Sequence, residues 1–186
     1  MPEDPFSMEL FAADVLSVMH EQQLDKISVF GYSMGGYVAL YLAKHHPDKI
    51  DKIVTLGTKY HWDETIAANE LKMLNPEKLE QKVPAFAAAL RERHAPAEWK
   101  QVLRKTSEMM VALGKDNTLK ITDYASIGHP ALLLLGDRDK MVTLNETVEV
   151  FKALPNAQME ILPNTQHPIE QVDMELLDFM IARFLP

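Results

Sequence analysis

The run Val29-Phe30-Gly31-Tyr32-Ser33-Met34-Gly35-Gly36 constrains this chain more than any other stretch, because it asks a strand to turn directly into a helix at a serine. Ile27, Val29 and Phe30 are β-branched and aromatic on the amino side, and Tyr37-Val38-Ala39-Leu40-Tyr41-Leu42-Ala43 continues as an apolar helix. A serine on so sharp a turn is held in a strained backbone conformation, its hydroxyl clear of the sheet. Gly31 and Gly35, lacking side chains, let helix and strand approach closely around it. The other reading of such a junction is a phosphate-binding turn. That would require G-x-x-x-x-G-K-[ST] or G-x-G-x-x-G, and neither pattern is present.

The elements around this turn alternate. Met8, Phe11, Ala12, Val15, Leu16 and Met19 recur at helical spacing ahead of it. The serine helix should stop near His45, before Pro47, and 49–57 reads as a second strand. Ala131-Leu132-Leu133-Leu134-Leu135-Gly136 is a continuous apolar run, as in a parallel strand buried on both faces. A helix over 143–154, a strand over 159–162 and a closing helix over 170–184 follow. Between these parts strand signals vanish. Helical patterns cover 64–74, 76–82, 84–94 and 96–113, with Pro76, Pro84 and Pro96 in first-turn positions that tolerate proline. The expected architecture is an α/β core of residues 1–57 and 129–186, with a mostly parallel sheet of about four strands and a helical insertion over 58–128.

Composition sets the boundaries of function. The net charge of -8 disfavours nucleic acid and anionic membrane as partners, since both need a positive surface. The absence of cysteine removes disulfides, thiolate metal sites and a cysteine nucleophile. Met-Pro-Glu-Asp-Pro at the start has neither the basic nor the apolar part of a signal peptide. No apolar run approaches the roughly 20 residues that cross a bilayer. A cytoplasmic protein is expected.

A serine hydroxyl is a weak nucleophile at neutral pH and needs a base, usually a histidine that a carboxylate orients. An open α/β sheet places such groups beyond the carboxyl ends of its strands. Two loops fit: Gly136-Asp137-Arg138-Asp139-Lys140-Met141-Val142 and Pro163-Asn164-Thr165-Gln166-His167-Pro168-Ile169-Glu170. With these loops and the Gly31-Tyr32-Ser33-Met34-Gly35 turn in the order Ser, acid, His, the chain resembles the α/β-hydrolase superfamily. The family pattern of Gly-x-x-Asp followed two residues later by Val matches Gly136, Asp139 and Val142. It favours Asp139 as the acid and leaves Asp137 as a turn residue bonding its own backbone. His167, followed by Pro168 and an acidic helix start, matches the family's histidine loop. The other histidines read as surface, helix-end or strand-entrance residues, with His61 and His94 inside the insertion; none forms a metal-ligand pair such as H-E-x-x-H.

The resemblance implies acyl transfer by Ser33, His167 and Asp139, without cofactor or metal, and an oxyanion donor at the Met34 backbone N–H. It also implies a truncated α/β-hydrolase fold. The family's first four strands and its His-Gly-type oxyanion loop have no counterpart here. One such donor is worth ~2.7–4 kcal/mol in a serine protease, or ~100–1,000-fold in rate. The nucleophile strand is then left with an unpaired apolar edge, through which a homodimer would form. A fragment of a longer hydrolase, a short self-associating hydrolase and an inactive remnant remain as alternatives.

By its position the insertion corresponds to the family's cap. Its large residues Trp62, Met73, Phe86, Trp99, Met109 and Met110, together with Tyr32, form the candidate pocket, against the simpler reading that they pack the cap helices together. No arginine cluster points to a phosphorylated or carboxylate-rich substrate. The expected partner is a small to medium neutral ester, and the expected activity that of a carboxylesterase. Thioester, carbon–carbon and perhydrolytic chemistry on the same serine are the enzymatic alternatives, and a self-associating module with a vestigial triad is the non-enzymatic one.

Overall fold

The computed structural model describes residues 4–185. These divide into two compact units: a sheet unit of residues 8–61 and 119–185, and a helical unit of residues 62–118 with residues 4–7.

In the sheet unit the order is α1 (Met8–Glu21), β1 (Ile27–Tyr32), α2 (Met34–His45) and β2 (Ile50–Leu56), resuming at α7 (Ile121–Tyr124). Then come β3 (Ala131–Gly136), α8 (Leu144–Ala153), β4 (Ala157–Leu162) and α9 (Met174–Phe184). The four strands form one sheet in the order β1-β2-β3-β4, every neighbouring pair parallel. The four-stranded parallel sheet expected from the alternation is therefore present. Its register sets Phe30 beside Val54, Tyr32 beside Leu56, and Leu134 beside both Leu56 and Glu160.

Every residue of β3 is buried, which is why its sequence could be apolar without interruption. Alternate residues point to opposite faces. Val54, Leu56, Leu132, Leu134 and Leu162 face one side and pack with Val172 and Leu177, flanked by Met180, Ile181 and Phe184 of α9. On the other side α2 lies across β1 and β2, and α8 across β3 and β4. The two edge strands are the least covered: Phe30 of β1 is 40% exposed and Ile161 of β4 is 37% exposed.

Element ends differ from the sequence pattern where capping decides them. α9 begins at Met174 rather than near 170, because the Asp173 carboxylate accepts from Glu175 N at 3.0 Å and Leu176 N at 3.1 Å. The preceding Ile169–Gln171 forms a single 3-10 turn.

The helical unit contains α3 (Glu64–Leu71), α4 (Pro76–Lys82), α5 (Pro84–His94) and α6 (Trp99–Lys115). Side-chain caps fix two starts: Asp63 accepts from Ile66 N at 2.7 Å and Asn75 from Lys78 N at 2.8 Å. Its core gathers Ala87, Leu90, Trp99 and Leu103, with Leu74 and Leu79 against them. The unit is narrower than the 58–128 expected from sequence. Leu119, Tyr124 and Ile127 are each no more than 1% exposed, and Leu119 N donates to the Tyr37 hydroxyl at 2.7 Å, which fastens 119–128 to the sheet unit. Among the described residues no helix is long and apolar enough to cross a membrane.

Candidate active site

Ser33 lies between the last residue of β1 and the first of α2, with φ 52° and ψ -119°. An L-residue pays about 1–3 kcal/mol for such a conformation, so the surrounding bonds must over-determine it. Ser33 N donates to Leu56 O at 2.8 Å, and the Thr58 hydroxyl donates to Ser33 O at 2.9 Å. A Cβ on Gly31 would lie 2.4 Å from the Gly35 carbonyl and Gly36 nitrogen; one on Gly36 would lie 2.0 Å from the Thr58 hydroxyl. At Gly35 it would meet nothing within 4 Å. The close approach is thus made by Gly31 and Gly36, which corrects the expectation for Gly35: its Cα faces open space at the helix surface.

Asp139 sits in the turn after β3. Its Oδ1 accepts from Met141 N at 2.8 Å and Val142 N at 2.9 Å, and its Oδ2 lies 2.8 Å from His167 Nδ1. Burial acts most strongly on this carboxyl and pushes its pKa up. The bonds from His167, Val142 and Met141 and the His167 charge together outweigh it, holding the group below its ordinary value. The turn is tied to the chain after β2, where Lys59 Nζ donates to Met141 O and Tyr60 N to Glu146 Oε1 at 3.1 Å.

His167 follows β4. Its Nε2 stands 3.2 Å from Ser33 Oγ, and its side chain is 11% exposed against 2% for Asp139. With Nδ1–H given to Asp139, Nε2 is free to accept the serine proton. The histidine loop is anchored by Thr165, whose N–H donates to Asp137 Oδ1 at 3.1 Å and whose carbonyl accepts from Arg138 N at 3.0 Å. Asp137 is therefore no self-bonded turn residue; its carboxylate joins the two loops. Ser33, Asp139 and His167, from three separate elements, meet in one hydrogen-bonded line.

Under that line lies Gly57, the residue after β2. Its φ is +57°, and a Cβ there would come within 3.2 Å of Asp139 Oδ2 and 3.3 Å of His167 Nδ1. Sequence reasoning did not single it out, although a glycine ending a strand at the catalytic side of a parallel sheet is the signal that finds it.

Tyr32 is half-buried and puts its hydroxyl 2.8 Å from the His167 carbonyl, donating to it. The other candidate pocket residues belong to the helical unit. Trp62, Trp99 and Met109 are buried, Met110 is half-buried, and Met73 and Phe86 are about half exposed, at 50% and 52%. Trp99 is part of that unit's core. Met34 opens α2, where first-turn N–H groups have no intrahelical acceptor and are available to an anion. Among the described residues no group of three or more His, Asp or Glu side chains is placed to hold a metal ion.

The profile of a family described as the alpha/beta hydrolase fold matches residues 1–169. A putative carbamate hydrolase RutD of Caulobacter segnis is 25% identical over 100% of this chain and 75% of its own length. The esterase YbfF of Escherichia coli is 26% identical over 99% of this chain and 77% of its own. Among solved structures, the enol-lactonase of Burkholderia xenovorans superposes with a TM-score of 0.73 at 20% identity, covering 99% of this chain and 75% of that one. A meta-cleavage product hydrolase of Pseudomonas fluorescens does so at 0.73 and 18%, covering 98% and 73%.

Proposed function

The chain belongs to the α/β-hydrolase fold family and is a hydrolase of that family, and we propose that it works as a serine hydrolase of the carboxylesterase type on small to medium neutral esters. The observation that carries this reading is the line from Ser33 Oγ through His167 to Asp139, with contacts of 3.2 Å and 2.8 Å. Contacts of that length before substrate arrives are ordinary for a nucleophile and its base.

In this mechanism Ser33 Oγ attacks the ester carbonyl carbon as His167 Nε2 takes its proton, and Asp139 stabilises the imidazolium. The negative charge gathering on the carbonyl oxygen meets the Met34 N–H at the start of α2. The C–O bond then breaks, His167 returns the proton to the departing alkoxide, and the acyl group stays on Ser33. Water, deprotonated by His167, attacks the acyl carbonyl carbon; the C–Oγ bond breaks, His167 returns the proton to Ser33 Oγ, and the acid is released. The names of the relatives span carbamate and ester substrates, consistent with attack on an acyl carbonyl as the shared step. The fold shared with a meta-cleavage product hydrolase keeps carbon–carbon hydrolysis by the same serine as the second reading.

A fluorophosphonate probe tests the proposal. The wild-type chain should be labelled and Ser33→Ala should not; a folded wild type that stays unlabelled refutes it. Turnover of short-chain against long-chain aryl esters then measures the acyl preference.

A further inference from the structure

The histidine loop meets the nucleophile turn at a place the triad does not use. Tyr32 immediately precedes Ser33, and its hydroxyl donates to the His167 carbonyl at 2.8 Å. His167 is followed by Pro168, extended at φ -60° and ψ 127° and without an N–H of its own. The Tyr32 side chain thus holds the backbone just ahead of Pro168. Its ring also lies against the imidazole, with centroids 5.4 Å apart and planes tilted by 39°.

We propose that Tyr32 is a positioning residue for the general base: it holds the His167 backbone carbonyl and fixes the His167 ring relative to the serine beside it. The clamp rests on the serine-hydrolase reading, and it makes that reading more specific. Thr165, held by Asp137 and Arg138, anchors the loop two residues before His167. Tyr32 anchors it at His167 itself. Between the two anchors the imidazole has one direction to face. Because Tyr32 and Ser33 are adjacent, a shift of the strand end carries nucleophile and base together, so the distance that matters for proton transfer is kept. A phenol suits this task because it carries a donor at the end of a rigid ring. Phenylalanine would keep the ring and lose the bond.

The test uses the whole chain and separates binding from chemistry. Tyr32→Phe should slow the maximal rate of fluorophosphonate labelling about three- to tenfold, the worth of a net hydrogen bond, and leave the half-saturating probe concentration unchanged. 4-Aminophenylalanine at position 32, which keeps a donor, should restore most of the rate. Amide hydrogen exchange at Gln166, His167 and Ile169 should quicken in Tyr32→Phe and return in the amino variant. Labelling at the wild-type rate, or a loss that appears only as weaker probe binding, overturns the proposal. If the wild type itself is never labelled, the nucleophile reading fails. The exchange measurement still decides the clamp, since unchanged protection in Tyr32→Phe overturns it without reference to activity.

Discussion

Replacing Gly57 by alanine should separate the cost of a backbone conformation from the cost of a displaced base. Gly57 sits at φ +57°, where an L-residue costs about 1–2 kcal/mol. The new methyl would stand 3.2 Å from Asp139 Oδ2, 3.3 Å from His167 Nδ1 and 3.4 Å from His167 Cε1. Ordinary van der Waals spacing is about 3.5–4.0 Å, so the pair must retreat by a few tenths of an ångström. A domain with about 5–15 kcal/mol of stability that loses about 2 remains more than about 99% folded. The destabilisation alone therefore leaves the labelling rate unchanged, and any slowing belongs to the moved pair. A misplacement of about 1 Å costs roughly 100-fold, so a few tenths should cost roughly three- to tenfold. Urea unfolding measures the first effect and fluorophosphonate labelling the second. Gly57→Asn adds the control, because asparagine tolerates the left-handed region while still carrying a Cβ. It should regain stability over alanine and still label slowly. Gly57→Ala that unfolds earlier yet labels like wild type would refute the crowding argument. Unchanged unfolding would refute the conformational one.

Asp139 makes the chain acid-sensitive in a defined sense. Its native pKa lies below the ordinary 3.8, so its contribution to stability is complete above that value and is lost as pH falls through the lower native pKa. Urea midpoints followed from about pH 6 to 2 should fall less steeply at the acid end in Asp139→Asn than in wild type, and parallel curves would count against the linkage. Asp137→Ala removes the acceptor for Thr165 N and should slow labelling about three- to tenfold while costing about 1 kcal/mol in urea, a modest figure because the carboxylate is 37% exposed. A large loss of stability with no change in labelling would show that Asp137 holds the fold and not the histidine loop.

Where local pattern decides structure, the sequence was sufficient. The Leu132–Leu135 run can be apolar throughout only if both faces are covered, and β3 is buried at every residue. Pro76 and Pro84 open their helices because φ is already set and no amide is lost. That Ser33, Asp139 and His167 would lie together could be read from their order and from the strands they follow. What could not be read depends on distance along the chain. Asp137 reaches Thr165 across 28 positions and Tyr32 reaches His167 across 135, and neither partner leaves a periodic trace. Gly35 and Gly36 illustrate the limit at short range. Both are glycine in a glycine-rich turn, and only the position of Thr58 shows which of them needs to be.

The conformation of Ser33 has a consequence for how such a chain changes over time. Its φ 52° and ψ -119° are close to the first central position of a type II′ turn, which glycine dominates. Ser33→Gly would relieve about 1–3 kcal/mol, a considerable share of the roughly 5–15 kcal/mol that holds a domain folded. The inactive protein would be the sturdier one. A lineage that no longer drew on the hydroxyl would have mutational pressure and stability acting in the same direction, toward its loss. Keeping a serine there is a standing handicap, tolerable only while something is gained from the oxygen it presents.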